Sequence, residues 1–397
     1  MTCSQLLHFF SRLLLSHTDK ESAMETAPTL TQGVATPDMQ PAIFEKVEAQ
    51  LPIPNFDPAI HLNYQPPSTR HSFTELGLPV PKGCPDICYT EAFQLFSEEG
   101  VRMIRREVFR REFLDKYMRS WERAPCLISG HYPVKRDGTF LKQAMMNPVT
   151  QAAINSAFGC ALALQLDENA MGYINVQLGA EGIEGVYRLN EHPTKPLPAA
   201  AASGLPASEY DGAMIDSWHK DTTPVVLVLM LSDTSTMVGG ETAIRTGDGR
   251  VIKARGANIG GAVMMAGAYL EHAALRASNC AERLSLVNSY GYANPDADDS
   301  GTTLRSVNLG FDNLSYVKNS FMELKLQRLR DRCNIAIERV REGRENGDAP
   351  TREECEEWVR DQIRLLKMTA WELNERIPNY LAMDMPEEAL KTYLADA

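Results

Sequence analysis

Two metal-binding side chains, His219 and Asp221, stand one residue apart in the stretch SWHKDTTPVVLVLMLSD. The chain has only eight histidines, so such a pair is not expected often by chance. The apolar run from Pro224 reads as a buried strand. In extended backbone, alternate side chains share a face, so His219 and Asp221 would converge on one ion. A third ligand must come from elsewhere, and His272, in YLEHAAL at the end of the apolar stretch GGAVMMAG, is the candidate. Two imidazoles and one carboxylate form a facial triad that leaves three metal positions open. That suits Fe(II) which must also take a cosubstrate and O2.

Beyond His272 lies RLSLVNSY, where alternation puts Arg283, Ser285, Val287 and Ser289 on one face. A buried arginine there needs a carboxylate, and the planar guanidinium grips one bidentately. Ser285 can donate a second hydrogen bond. Together they read as a receptor for the far end of a dicarboxylic acid whose other end chelates the metal, as 2-oxoglutarate would. Arg276 competes for this role, but its closeness to His272 in the chain places it at a rim or on the surface.

The ordered set of strand, WHKD, VLMLSD, VGGETAIR, EHAALRA and ERLSLVNSY resembles the Fe(II)/2-oxoglutarate-dependent dioxygenases, and within them a fungal branch with biosynthetic members. The resemblance is strongest over residues 172–292 and fainter in the flanking segments. It implies a mainly β core, a double-stranded β-helix (jelly roll), flanked by N- and C-terminal helices. It places iron on His219, Asp221 and His272 and oxoglutarate on Arg283 and Ser285. In GYINVQL, Asn175 matches an asparagine that the family puts near the cosubstrate, while Gln177 stands where a tyrosine is common. The implied reaction couples decarboxylation of 2-oxoglutarate to oxidation of a C–H bond: hydroxylation, desaturation or ring closure. The branch suggests a secondary-metabolite intermediate or a small amino acid as substrate.

Other residues carry open alternatives. Tyr173, Asn175 and Gln177 share a face and either bind ligand or satisfy the barrel interior. Trp218 either shapes the pocket or packs. Arg245 either meets an acidic substrate group or lies on the surface. His131 and His192 are expected at the surface. GAEGIEG lacks the Lys-Ser/Thr of a phosphate loop. A jelly-roll zinc or manganese enzyme, a hydrolase or isomerase, could also use two histidines and an aspartate. So could a binding module that has lost activity. Arg283 with Ser285 speaks against the first, because hydrolysis needs no dicarboxylate anchor, and the intact triad speaks against the second.

The surrounding chain must position these groups. Residues 1–89, rich in Pro, Thr and Gln breakers, read as an extended, partly disordered arm. Residues 90–170 read as helical support, with one helix over 90–117 and a shorter one closed by Gly159. Short strands between glycine turns run through 171–293, including a hairpin about GDG. Residues 180–216, rich in Gly, Pro and Ala, read as a lid. Residues 294–397 are helical, with a capping box at Thr351 and Glu354, and offer a homodimer surface.

The net charge of −12, without a long Lys/Arg run, argues against nucleic acid as a partner. The scattered cysteines, with Cys84 and Cys88 the closest two, read as free thiols of a reducing compartment. The apolar start MTCSQLLHFF reads as a frayed tail on a cytoplasmic enzyme, an organelle presequence being the alternative. It is too short to span a bilayer, and no membrane partner is expected.

Overall fold

The computed structural model describes residues 52–119, 127–128, 139–165, 171–178, 182–199, 214–304, 314–373 and 387–395. Strands in the first half are β1 (Arg70–His71), β2 (Tyr89–Thr90), β3 (Phe93–Gln94), β4 (Met118–Arg119), β5 (Leu127–Ile128), β6 (Leu162–Leu164) and β7 (Tyr173–Leu178). The second half supplies β8 (Met214–His219), β9 (Val225–Met230), β10 (Val238–Gly239), β11 (Thr242–Arg245) and β12 (Val251–Ala254). It continues with β13 (Gly261–Met265), β14 (His272–Leu275), β15 (Ala277–Ser278) and β16 (Glu282–Tyr292).

Two antiparallel sheets carry the core. The large one has the path β1-β2-β13-β9-β16-β7-β5-β4, and the small one the order β12-β11-β14-β8. Successive core strands alternate between them: β7 large, β8 small, β9 large, β11 and β12 small, β13 large, β14 small, β16 large. A chain that crosses from sheet to sheet in this order winds a double-stranded β-helix. Antiparallel β11 and β12 close about the Gly249 turn, where φ is +84°. β16, the longest strand, lies between β7 and β9 and holds the large sheet together.

Burial along β16 reflects its two covered faces. Leu284, Leu286 and Tyr290 are fully buried on the face opposite Arg283 and Ser285, in one cluster with Ile104, Leu114, Phe140 and Phe158 of the N-terminal helices. The first of those helices, α1 (Glu98–Val108), starts later than the apolar spacing suggests. Ser97 caps it by accepting from the Gly100 amide, and Phe93 is drawn into β3 instead. α2 (Arg111–Tyr117) follows after a break, so the helix expected over 90–117 is two. α3 (Thr139–Met146) and α4 (Pro148–Phe158) are separated by the Asn147 cap. The buried Glu107 carboxylate accepts from the amides of Phe140 and Leu141 at the start of α3.

The described part of the arm is not loose. Residues 52–89 add β1 and β2 to the edge of the large sheet, and Phe73 is fully buried. Chain breakers there end strands rather than prevent them. The proposed lid also contains packed structure: a short helix α5 (Gly182–Val186) and the buried Val186, Leu189 and Thr194. Its residues 200–213 lie outside the described part, as does His131.

Arg105 of α1 and Glu282 of β16 form a fully buried ion pair, with Nη1 donating to Oε1 at 2.6 Å. The same guanidinium donates to the carbonyls of Asn190, His192 and Leu231, and Thr194 Oγ1 donates to Glu282 Oε2 at 2.7 Å. At the other end, α6 (Leu314–Asn346) docks on the turn after β16. Arg328 and Arg332 donate to the Ala297 carbonyl, and Lys325 pairs with the buried Asp299. α7 (Arg352–Glu372) opens with the Thr351–Glu354 capping box, and α8 (Glu387–Leu394) follows. No helix among the described residues is long and apolar enough to cross a membrane.

Removing one partner of a buried ion pair strands the other charge. Glu282→Gln and Arg105→Met should therefore each lower unfolding free energy by about 3–5 kcal/mol. Urea denaturation followed by circular dichroism measures this, and a change under about 1 kcal/mol would mean the pair does not anchor the fold.

Candidate metal centre

β8 and β14 are neighbouring antiparallel strands, and His219 and His272 are directly opposite each other in their register. The ring centroids are 4.3 Å apart. Each imidazole is fixed from behind. His219 Nδ1 lies 2.6 Å from the Ser217 carbonyl, and His272 Nδ1 lies 3.0 Å from the Leu270 carbonyl. A carbonyl only accepts, so both Nδ1 atoms carry the proton, and Nε2 is the atom each ring presents to a metal. Burial pushes the His272 pKa below the ordinary histidine value, against the pull of the Asp221 charge, which keeps the ring neutral as a ligand must be.

Asp221 arrives by a route different from simple alternation. β8 ends at His219, and Asp221 lies in the following turn. Its amide donates to the Gly267 carbonyl at 3.0 Å, which turns the side chain back toward the histidines. Oδ1 is 3.6 Å from His219 Nε2 and 3.7 Å from His272 Nε2. Gly267 is there because nothing larger fits: a Cβ at that position would overlap the Asp221 carboxylate. The three candidate ligand atoms all lie within 4.8 Å of one another. Two neutral imidazole nitrogens and one carboxylate oxygen, on one side of a common centre, fit a divalent transition metal.

The inner face of β16 lies on the other sheet. Arg283 is opposite Gln177, Ser285 opposite Asn175, and Val287 opposite Tyr173 in the β16–β7 register. Directly paired residues share a face, so these six side chains form one patch. Arg283 is 8% exposed, and its hydrogen bond is a long 3.5 Å approach of Nη2 to the Gly240 carbonyl, so among the described residues its Nε has no partner, and neither does the buried Oε1 of Gln177 across the register. Burial lowers the guanidinium pKa, and among the described residues no carboxylate forms an ion pair with it. A buried arginine without an acid costs several kcal/mol, on the order expected for an unpaired charge, unless a ligand supplies the anion.

Trp218 and Arg245 are not brought to this centre. In the β11–β14 register Ile244 faces His272 and Ala243 faces Ala273. Ile244 belongs to the main core, while Ala243, Ala273 and Leu275 form a separate cluster with Trp218 on the sheet's outer face. Arg245 stacks over the Trp218 ring there, 4.5 Å from its centroid, and pairs with Glu271. The outer position of Trp218 follows from strand parity with His219, so the sequence pattern contained it. His192 is partly exposed and near Glu191. Asp216, not singled out in the sequence, has Oδ2 at 3.8 Å from His219 Nε2.

No family model matches the sequence, and no curated protein matches it. Several solved structures share part of the fold. An oxidoreductase of the 2OG-Fe(II) oxygenase family from Burkholderia pseudomallei is 14% identical, with a TM-score of 0.27, over 42% of this chain and 68% of its own. A prolyl-4-hydroxylase from Pseudomonas putida is 15% identical, with a TM-score of 0.27, over 50% of this chain and 89% of its own. Prolyl 4-hydroxylases from Phytophthora capsici are 13% identical, with a TM-score of 0.29, over 78% of this chain and 89% of theirs. Likeness at this level carries no argument about activity; the strand order and the site geometry do.

Gly267→Ala isolates the cradle from the ligands. The added methyl should displace Asp221, leave the circular dichroism spectrum intact, and lower Fe(II) or Co(II) affinity by more than about tenfold, or 1.4 kcal/mol. Replacing His219, Asp221 or His272 by Ala should do the same or worse. Unchanged metal affinity in any of the three would remove that residue from the centre.

Proposed function

We propose that the chain is a non-haem Fe(II)/2-oxoglutarate-dependent oxygenase that oxidises a C–H bond of a small organic molecule. The carrying observation is the pairing of a His-Asp-His cluster with a buried arginine that, among the described residues, lacks an acid, on the facing sheet. A zinc or manganese hydrolase has no use for that arginine. When bound, ferrous iron and 2-oxoglutarate supply the oxidising power, with O2 consumed and succinate and CO2 released.

The chain's own residues do the rest. His219, Asp221 and His272 would hold the metal. Arg283 would grip the C5-carboxylate of oxoglutarate, and Ser285, next along the same face, would donate to it. Asn175 and Gln177, across the register, contribute amide donors to the same patch. Arg283 stays charged throughout, so it binds and orients without exchanging a proton. Gly240 brings the turn before β11 against Arg283 and limits access of water there. Product could be hydroxylated, desaturated or cyclised; a fungal secondary metabolite or a small amino acid is the substrate class that the sequence resemblance favours. We assign it to the cytoplasm on the free thiols at Cys84, Cys88 and Cys280.

Adding 2-oxoglutarate to the anaerobic Fe(II) protein should produce a metal-to-ligand charge-transfer absorbance; its absence would favour the hydrolase reading. Arg283→Lys keeps the charge and loses the fork. A charge-assisted hydrogen bond is worth about 1.5–3 kcal/mol, so oxoglutarate affinity should fall by about ten- to a hundredfold. Arg276→Ala should change it far less, and titration of that absorbance in each variant measures both.

A further inference from the structure

We propose that His71 is a positioning residue for the metal centre: its doubly protonated ring latches strands β1 and β2 of the arm against the turn that orients Asp221 and His272. The inference rests on the reading of His219, Asp221 and His272 as a metal centre.

That turn is residues 266–270, between β13 and β14. The Gly267 carbonyl accepts from the Asp221 amide at 3.0 Å, and the Leu270 carbonyl lies 3.0 Å from His272 Nδ1. A shift of the turn would therefore move a carboxylate and an imidazole together, away from the geometry that His219 shares with them. The arm holds the turn from outside. The Ala266 amide donates to the Cys88 carbonyl at 2.7 Å, and the fully buried Phe73 ring meets Tyr269 edge-on, with centroids 6.3 Å apart. The Met264 amide donates to Thr90 Oγ1 at 3.0 Å and extends the seam along β13. The arm also reaches the small sheet, where the Gly247 amide of the β11–β12 turn donates to the Leu76 carbonyl at 2.8 Å.

β1 and β2 have two residues each, and a pair so short is marginal on backbone bonds alone. His71 adds a side-chain clamp. Its Nδ1 lies 3.0 Å from Glu75 Oε1, after β1, and its Nε2 lies 2.9 Å from Glu91 Oε1, after β2. The ring stacks on Tyr89, with centroids 4.3 Å apart and planes 13° from parallel. Ionised carboxylates only accept, so both contacts are satisfied only when both ring nitrogens carry protons. The neutral ring has one N–H and turns a lone pair toward the other carboxylate. Against burial, which favours the neutral ring, Glu75 and Glu91 raise the His71 pKa above its ordinary value. The other groups nearby are engaged or neutral. Arg70 donates to the Ser156 and Ala157 carbonyls, Asp86 accepts from the Thr74 amide, and burial pushes the Cys88 thiol and the Tyr89 phenol up. A group whose pKa is raised by folding stabilises the clamp at low pH and stops doing so as pH rises through the folded value. Metal affinity has the opposite trend of its own, because the ligands must shed protons.

Co(II) titrated into the metal-free full-length protein, and read by its visible absorption, gives affinity without turnover. His71→Arg keeps a permanent cation between the two carboxylates and leaves the ligands untouched, so the ratio of wild-type to variant affinity isolates His71. NMR of the His71 ring gives the pH at which it titrates. Across that pH the ratio should fall about two- to fivefold, the range of a partly exposed ion pair. Hydrogen exchange of the Ala266 amide in metal-free wild-type protein, corrected for intrinsic rate, should lose protection over the same pH range. Glu91→Gln, which removes one acceptor, should move both changes to lower pH. A ratio that stays constant while the ring titrates would overturn the proposal, as would Ala266 protection indifferent to pH. Absence of Co(II) binding by the wild type is a different result: it would remove the metal centre itself, and this inference with it.

Discussion

The architecture turns on one buried charge pair. Arg105 and Glu282 sit where α1, the 190–194 segment, the end of β9 and the start of β16 meet, and every donor of the guanidinium finds an acceptor. Such a pair contributes little net stability over an apolar substitute, but it is unforgiving about position. Its position matters because Glu282 immediately precedes Arg283. By fixing the first residue of β16 to the helical layer, the pair fixes which way the next residue points. The satisfied arginine on one side of β16 and the unsatisfied one on the other are consequences of the same strand pleat.

The metal centre obeys a similar economy of placement. Two histidines face each other across one antiparallel ladder, so their separation is set by strand spacing and not by loop conformation. Only the carboxylate comes from a turn, and a glycine opposite makes room for it. Sites on strands are held more tightly than sites on loops. Arg283, carried by the central strand of the other sheet, has the same advantage.

Much of this was legible in the sequence, for identifiable reasons. Period-two alternation in RLSLVNSY and GYINVQL put Arg283, Ser285, Asn175 and Gln177 on common faces, because a strand covered on both sides has no freedom to change parity. The apolar runs gave β9 and β13 for the same reason. Parity failed where the backbone is irregular. The irregular register of β8 against β14 leaves no mark in composition, and Asp221 lies beyond the end of β8. Trp218 and Arg245 were weighed by proximity to the motif, although parity with His219 and Ile244 puts them on the outer face. The arm over 52–89 was obscured because proline and glycine punctuate ordered edge strands as readily as loose chain. Helix boundaries near Ser97 depended on a cap competing with an apolar pattern that both a strand and a helix could use.

Among the described residues β8 has a neighbour on one side only, yet it carries His219 at its end and leads into Asp221. An ion bridging these to His272 on β14 would fasten the edge strand to the sheet. Edge strands are the places where native proteins open first and where other chains add on. An ion that binds the closed edge and not the opened one shifts that local equilibrium by mass action. Supply of that metal would then set the lifetime of the polypeptide. A cell short of it would hold a protein whose β8 edge opens more often to proteases, and the metal-free chain would be the one removed.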